Sequence, residues 1–185
     1  MKAKFEIFIL IKNKQATTLT KQIATRYKTY SALRDTKGPH ISFIYLNKKL
    51  NEDRINELIG YYEDKLKKIK PFYLEVSGIS FFRKYYGQHH LNYAVILKVI
   101  PDKNLVNLNR IFNSGIKDID HRTFNKFQPH ISLARTDLDK EKFYGILKDY
   151  KDHKIKFKVW LTCIYAGTRR KKRQKWKLVK MKLGT

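Results

Sequence analysis

The chain opens on a short apolar stretch, Phe5-Glu6-Ile7-Phe8-Ile9-Leu10-Ile11, broken by one charge. No small-residue cleavage site follows it, so a first β-strand is expected here and not a signal peptide. From Gln15 to Leu33 the pattern turns polar, with Leu19, Ile23, Ala24 and Tyr27 at helical spacing. Asp35-Thr36-Lys37-Gly38-Pro39 is turn material. His40 to Leu46 is rich in β-branched and aromatic residues and predicts a strand. Asn51 stands as N-cap to a helix carrying Ile55, Leu58, Ile59, Tyr62 and Leu66, which ends before Pro71. Phe72 to Arg83 predicts a strand with an irregularity at Ser77-Gly78.

The same plan then recurs. Tyr93 to Ile100 predicts a strand, and Asp102 to Phe112 a helix with the stripe Leu105, Leu108, Ile111 and Phe112. After Phe127-Gln128-Pro129, His130 to Leu133 predicts the next strand. Asp137 or Asp139 caps a helix carrying Phe143, Ile146, Leu147 and Tyr150. Lys156 to Gly167 predicts one strand and Trp176 to Leu183 a last one, with Thr168 to Lys175 as the tip of a hairpin between them. Strand, helix, strand, helix, strand thus occurs twice, an internal duplication. The expected fold is α+β: two pseudo-symmetric lobes, each an antiparallel β-sheet with outer helices, and a cleft between them. No linker separates the halves, at about 1–90 and 91–185, so one intertwined domain over 1–185 is expected, as a monomer.

The duplication carries a repeated string, Pro39-His40-Ile41-Ser42 and Pro129-His130-Ile131-Ser132. On a strand, residues two apart share a face, so each His stands beside its Ser. Proline before each His presets an extended backbone and withholds a donor, which puts the motif at the first strand residue. A pseudo-twofold axis would turn both pairs into one cleft. Two imidazoles suit displacement at phosphorus, which needs a base for the incoming oxygen and an acid for the leaving one. Two hydroxyls can donate to the non-bridging oxygens. One His-x-Ser would mean little. Two identical strings at matching places, in a chain with four prolines and six histidines, point to catalysis.

Charge narrows the partners. The 41 Lys and Arg against 16 Asp and Glu give a formal charge of +25, a field that attracts RNA, DNA or an anionic membrane surface. Residues 151–185 concentrate it, with 13 Lys and Arg against one Asp. Cys163 is the sole cysteine, so neither an internal disulfide nor a cysteine zinc site is open to the chain, in keeping with a reducing, cytoplasmic setting. No stretch approaches the roughly 20 apolar residues of a membrane span.

On the two His-x-Ser motifs, some 90 residues apart, the chain resembles the two-histidine phosphoesterase superfamily, and within it the 2′-5′ RNA ligase and RNA 2′,3′-cyclic phosphodiesterase branch. The resemblance runs from the opening strand through His40-Ile41-Ser42-Phe43, Phe72 to Phe82 and Tyr93 to Phe112 to His130-Ile131-Ser132-Leu133-Ala134-Arg135. It implies that His40 and His130 are the acid–base pair, and that Ser42, Ser132 and Arg135 bind phosphate. For Arg135 to join them, the strand must end or bulge near Ala134. Serine stands where threonine is commoner, and Leu46-Asn47 where Leu-Gly often follows. No cofactor and no metal are implied. The expected substrate is RNA ending in a 2′,3′-cyclic phosphate, opened to a 2′-phosphate, with 2′-5′ ligation as the reverse reaction. Degradation of 2′-5′ oligoadenylates or cyclic nucleotide signals, and non-catalytic RNA binding, are the alternatives. Candidate substrate contacts are Tyr45, Phe82, Tyr85, Arg122, Arg169 and Arg170, with Tyr86 and Trp160 as further stacking candidates. His89-His90 falls in a hairpin turn, His121 on the binding rim and His153 at the surface.

Overall fold

A computed structural model describes residues 2–29, 38–86, 90–119, 127–135, 138–170 and 175–184, with backbone alone at 47, 83–86 and 90–92. Strand β1 (Ala3–Leu10) turns Ala3, Phe5, Ile7 and Ile9 into the core and leaves Lys4, Glu6 and Phe8 on its other face. Helix α1 (Lys14–Arg26) follows, capped by Asn13, whose side chain accepts from the Ala16 amide. Next come β2 (His40–Leu50), α2 (Glu52–Leu66), β3 (Phe72–Tyr86), β4 (His90–Val99) and α3 (Lys103–Ser114). The chain ends with β5 (His130–Ala134), α4 (Lys140–Tyr150), β6 (Phe157–Leu161), β7 (Cys163–Arg169) and β8 (Lys177–Lys182). Asn51 caps α2 as the sequence predicts, Asp139 is the one of the two candidate caps that caps α4, and Asp102, expected as the first helical residue, is the cap of α3.

The strands form two antiparallel four-stranded sheets, ordered β2-β1-β7-β8 and β5-β4-β3-β6. The α+β architecture of paired antiparallel sheets with four helices is therefore present. The stretch predicted as one strand from Lys156 to Gly167 is instead two, in different sheets: β6 pairs with β3 and β7 with β1. The break at Thr162 has a physical cause. Phe157, Val159 and Leu161 face the core, then Ile164 and Ala166 do, so the inward phase slips by one residue there. At Ser77-Gly78, where Gly78 has φ of 116°, the register of β3 slips in the same way.

Helix packing locks the sheets together by exchange. Helix α1 follows β1 of the first sheet but packs on β5 of the second; α3 follows β4 of the second but packs on β2 of the first. One apolar core results, with residues of both sheets and all four helices. At its centre Phe43 of β2 meets Phe112 of α3 at 5.0 Å and Phe127, ahead of β5, at 5.6 Å between ring centroids. Across the boundary between the sheets, strand packing centres on β2 and β5, the two strands that carry the repeated tetrapeptide. Among the described residues no helix is long and apolar enough to cross a membrane.

Candidate active site

Both motif strands begin at their histidine, and the duplication extends to single hydrogen bonds. The Pro39 carbonyl accepts from the Ile11 amide at 2.8 Å and the Pro129 carbonyl from the Val99 amide at 3.3 Å. His40 Nδ1 lies 2.8 Å from the Gly38 carbonyl, and His130 Nδ1 lies 2.9 Å from the Gln128 carbonyl. A carbonyl can only accept, so each Nδ1 carries the proton and each Nε2 is the nitrogen that exchanges protons. Each ring also meets a phenylalanine edge: Phe8 at 5.6 Å for His40 and Phe82 at 5.4 Å for His130.

Both strands bulge directly after the serine. Ile7 pairs with Ile44 but Phe8 with Ser42; Val95 pairs with Ala134 but Ile96 with Ser132. The extra residues are Phe43 and Leu133, and each is buried together with its successor, Ile44 or Ala134. Two successive inward side chains return the next residue to the face of His and Ser. That residue is Tyr45 in the first half and Arg135 in the second, both exposed. Strand β5 also ends at Ala134, so the backbone meets the condition that Arg135 needs to join the motif.

One site residue has no counterpart in the sequence reading. Glu6 is only 3 % exposed, yet it lies on the motif face of β1, opposite Tyr45. Its Oε1 accepts a hydrogen bond from Ser42 Oγ at 2.7 Å and lies 3.8 Å from His40 Nε2. A lone carboxylate inside an apolar strand was the available signal, because burying one is costly without a partner. In the second half the matching place, two residues before the partner of the motif serine, is Ala94.

The motif face of the first sheet continues outward from His40. Phe8 stacks on Tyr165 at 6.1 Å. Burial pushes the Tyr165 hydroxyl pKa up, helped by a hydrogen bond to Cys163, so the phenol stays neutral. A Cβ at Gly167 would press on the Phe8 ring at 2.9 Å and lie tight against the Trp176 ring at 3.1 Å, so glycine lets both rings pack close over the strand. Arg169, opposite Lys4, stacks on Trp176 at 4.7 Å. Arg170 lies elsewhere: it pairs with Glu52 at 3.4 Å in a groove of about 280 Å³ lined also by Ala3, Thr168 and Lys177. Lys4 Nζ donates to the Tyr45 hydroxyl at 3.1 Å. Tyr85 is described by its backbone only, opposite Leu91, as is Tyr86. Arg122, His121 and His89 lie outside the described residues. His153 is exposed. Among the described residues, no three of His, Cys, Asp and Glu gather as a metal-binding group.

Comparison with known proteins bears on the family and the fold. The family model for the 2′-5′ RNA ligase superfamily matches residues 11–172. A search of curated proteins by sequence finds no match. Among solved structures, Escherichia coli LigT complexed with ATP is 12 % identical with a TM-score of 0.62, covering 100 % of both chains. TT0787 of Thermus thermophilus is also 12 % identical with a TM-score of 0.62, covering 99 % of this chain and 98 % of that one. Kluyveromyces marxianus Usb1 with uridine monophosphate is 11 % identical with a TM-score of 0.51, covering 97 % and 98 %. At such identities the structural likeness is one of fold, and the family match spans most of the chain. The chain belongs to the 2′-5′ RNA ligase superfamily of two-histidine phosphoesterases.

Proposed function

We propose that this phosphoesterase-type enzyme hydrolyses the 2′,3′-cyclic phosphate at an RNA end to a 2′-phosphate, with His40 and His130 as its acid–base pair. The observation that carries the reading is the duplicated imidazole geometry. On two neighbouring strands, Nδ1 is tied to a carbonyl two residues back, which orients Nε2 as the proton-exchanging atom. One Nε2 takes a proton from water as its oxygen bonds to phosphorus. The other gives a proton to the 3′-oxygen as its bond to phosphorus breaks. Ser132 and Arg135 are the groups we assign to the non-bridging oxygens, where negative charge gathers. The scheme draws on no metal and no cofactor.

RNA is favoured over a small signalling nucleotide by the surface around the motif. The net charge is +25. Tyr73 and Trp160, 61 % and 52 % exposed, pair across β3 and β6 with ring centroids 4.6 Å apart. Their neighbours Phe72, Leu74 and Leu161 face the core, so both rings lie on the face that carries His130 and Ser132. Strand and residue spacing put the pair roughly 20 Å from His130. A base several nucleotides from the reacting phosphate could stack there, and a mononucleotide could not reach it. LigT has been seen with ATP and with 3′-AMP, and Usb1 with uridine monophosphate, which is in keeping with a nucleotide substrate.

The test is a turnover panel in EDTA: a cyclic-phosphate-ended oligoribonucleotide, a 2′-5′ oligoadenylate and a cyclic dinucleotide, each with wild type, His40→Ala and His130→Ala. Conversion of the first to a 2′-phosphate by wild type alone is expected. Activity that requires added metal would sink the acid–base scheme, and RNA binding without conversion of any substrate would favour a binding module. Trp160→Ala is expected to weaken binding of a ten-nucleotide substrate by about 1–3 kcal/mol. The same variant should leave turnover of a cyclic mononucleotide unchanged; equal losses on both substrates would remove the stacking role.

A further inference from the structure

The two halves share backbone, bulge and motif, but not charge. Beside His40 stands the buried carboxylate of Glu6, and its register partner on β1 is Leu10. Opposite His130 stands Lys98, and Ala94 stands where Glu6 would be. An opposite charge within about 4–6 Å favours the protonated imidazole, and cationic neighbours disfavour it. Among the described residues, the other groups on the motif face of the first sheet do not reverse the contrast. Tyr165 is a neutral phenol on β7. Lys4 is turned to Tyr45, and Arg169 lies over Trp176. At 3.8 Å, Glu6 meets His40 Nε2 as a charge and not as a hydrogen-bond acceptor.

Ser42 adds to the asymmetry. Its hydroxyl has one proton and donates it to Glu6. In this arrangement Ser42 serves the carboxylate, and the donor role toward phosphate falls to Ser132. A bare carboxylate near a phosphate would repel it; an imidazolium at His40 cancels that charge.

We propose that Glu6 fixes the direction of catalysis, holding His40 as the imidazolium that protonates the leaving oxygen and leaving His130 as the neutral base that activates water. The assignment rests on the two-histidine reading above. Water loses its proton to His130 Nε2 as its oxygen bonds to phosphorus. The bond from phosphorus to the 3′-oxygen breaks, and that oxygen takes the proton from His40 Nε2. His40 ends neutral and His130 protonated, and solvent exchange resets both. Glu6 touches neither water nor leaving group in this scheme; it is a positioning residue acting through His40.

Two measurements decide it. The first is the pH profile of kcat/KM. In Glu6→Gln the alkaline limb, set by the acid His40, is expected to move down by about one pH unit while the acid limb stays. Glu6→Asp should keep the limb near its wild-type position. A loss of rate with both limbs unmoved would mean a merely structural Glu6, and movement of the acid limb would mean reversed roles; either overturns the proposal. The second needs no turnover: NMR titration of the imidazole Cε1–H signals, assigned with His40→Ala and His130→Ala. His40 is expected to titrate at higher pH than His130, with the gap narrowing in Glu6→Gln. The opposite order in wild type overturns the proposal even if Glu6→Gln fails to fold. If wild type turns over no phosphodiester, the function reading fails separately, and the titration order still decides the charge effect of Glu6.

Discussion

His130→Ala is expected to lower kcat for cyclic-phosphate opening by about 10²–10⁴-fold, the usual worth of a positioned acid or base. KM should change little, because the imidazole acts chiefly in the transition state and phosphate contacts from other groups remain. Stability should change little as well. His130 is only partly buried, and its bond to the Gln128 carbonyl is local. His40→Ala should cost as much in rate. The pH profile separates the two. Wild type should give a bell in kcat/KM, and each alanine variant should lose one limb of it. A wild-type profile flat between about pH 5 and 8, or a His130→Ala variant within tenfold of wild type, would remove the acid–base roles.

Phe112→Ala is expected to destabilise the fold by about 3–5 kcal/mol, the range for deleting a buried phenylalanine ring. The ring is 0 % exposed and sits where three elements meet. It lies on α3, packs on Phe43 of the motif strand β2 at 5.0 Å, and meets Tyr62 of α2 edge-on at 5.1 Å. Tyr62 is itself buried and donates to the Phe112 carbonyl at 2.8 Å, and burial pushes its hydroxyl pKa up. A cavity here has rigid walls, so the surroundings can collapse into it only in part. For a domain with a total stability of about 5–15 kcal/mol, the loss is a large fraction. Urea unfolding would measure it, with Phe112→Leu as a milder companion. A change under about 1 kcal/mol would mean that α3 does not brace β2. Because Phe43 directly follows Ser42, kcat should also fall in whatever Phe112→Ala remains folded, without movement of either limb of the pH profile.

Much of this site was legible in the sequence, and for local reasons. Pro39 and Pro129 mark where β2 and β5 begin, since proline sets an extended backbone and offers no donor. The two-residue period pairs His40 with Ser42 and His130 with Ser132. Asn51, Asp102 and Asp139 show helix starts because the cap is a bond of three residues' span. Phase slips were legible too, though only one was read. Ser77-Gly78 announces its irregularity with a glycine. Thr162 has no such mark, and only the spacing from Leu161 to Ile164 reveals that one apparent strand is two.

Glu6 lies at the border of what a sequence can tell. A carboxylate among Phe5, Ile7, Phe8 and Ile9 demands a partner, yet nothing along the chain names it. The partners are 34 and 36 residues away, at His40 and Ser42, and the register of β1 on β2 selects them. Register is set by bulges and cross-strand packing, not by spacing along one strand. The same holds for Arg169 and Arg170, adjacent in sequence and divided by the pleat into a Trp176 contact and a Glu52 ion pair.

By itself, then, the sequence determined the elements apart from the division of Lys156 to Gly167 into β6 and β7, the duplication, the local His–Ser pairing and the kind of chemistry, because each is a matter of a few residues of backbone and period. The tertiary structure alone decided that α1 and α3 exchange sheets, that β2 and β5 become neighbours, and that a buried carboxylate stands beside one histidine and a lysine opposite the other. Those are contacts between distant segments, chosen by the packing of a shared core, and no local pattern encodes them.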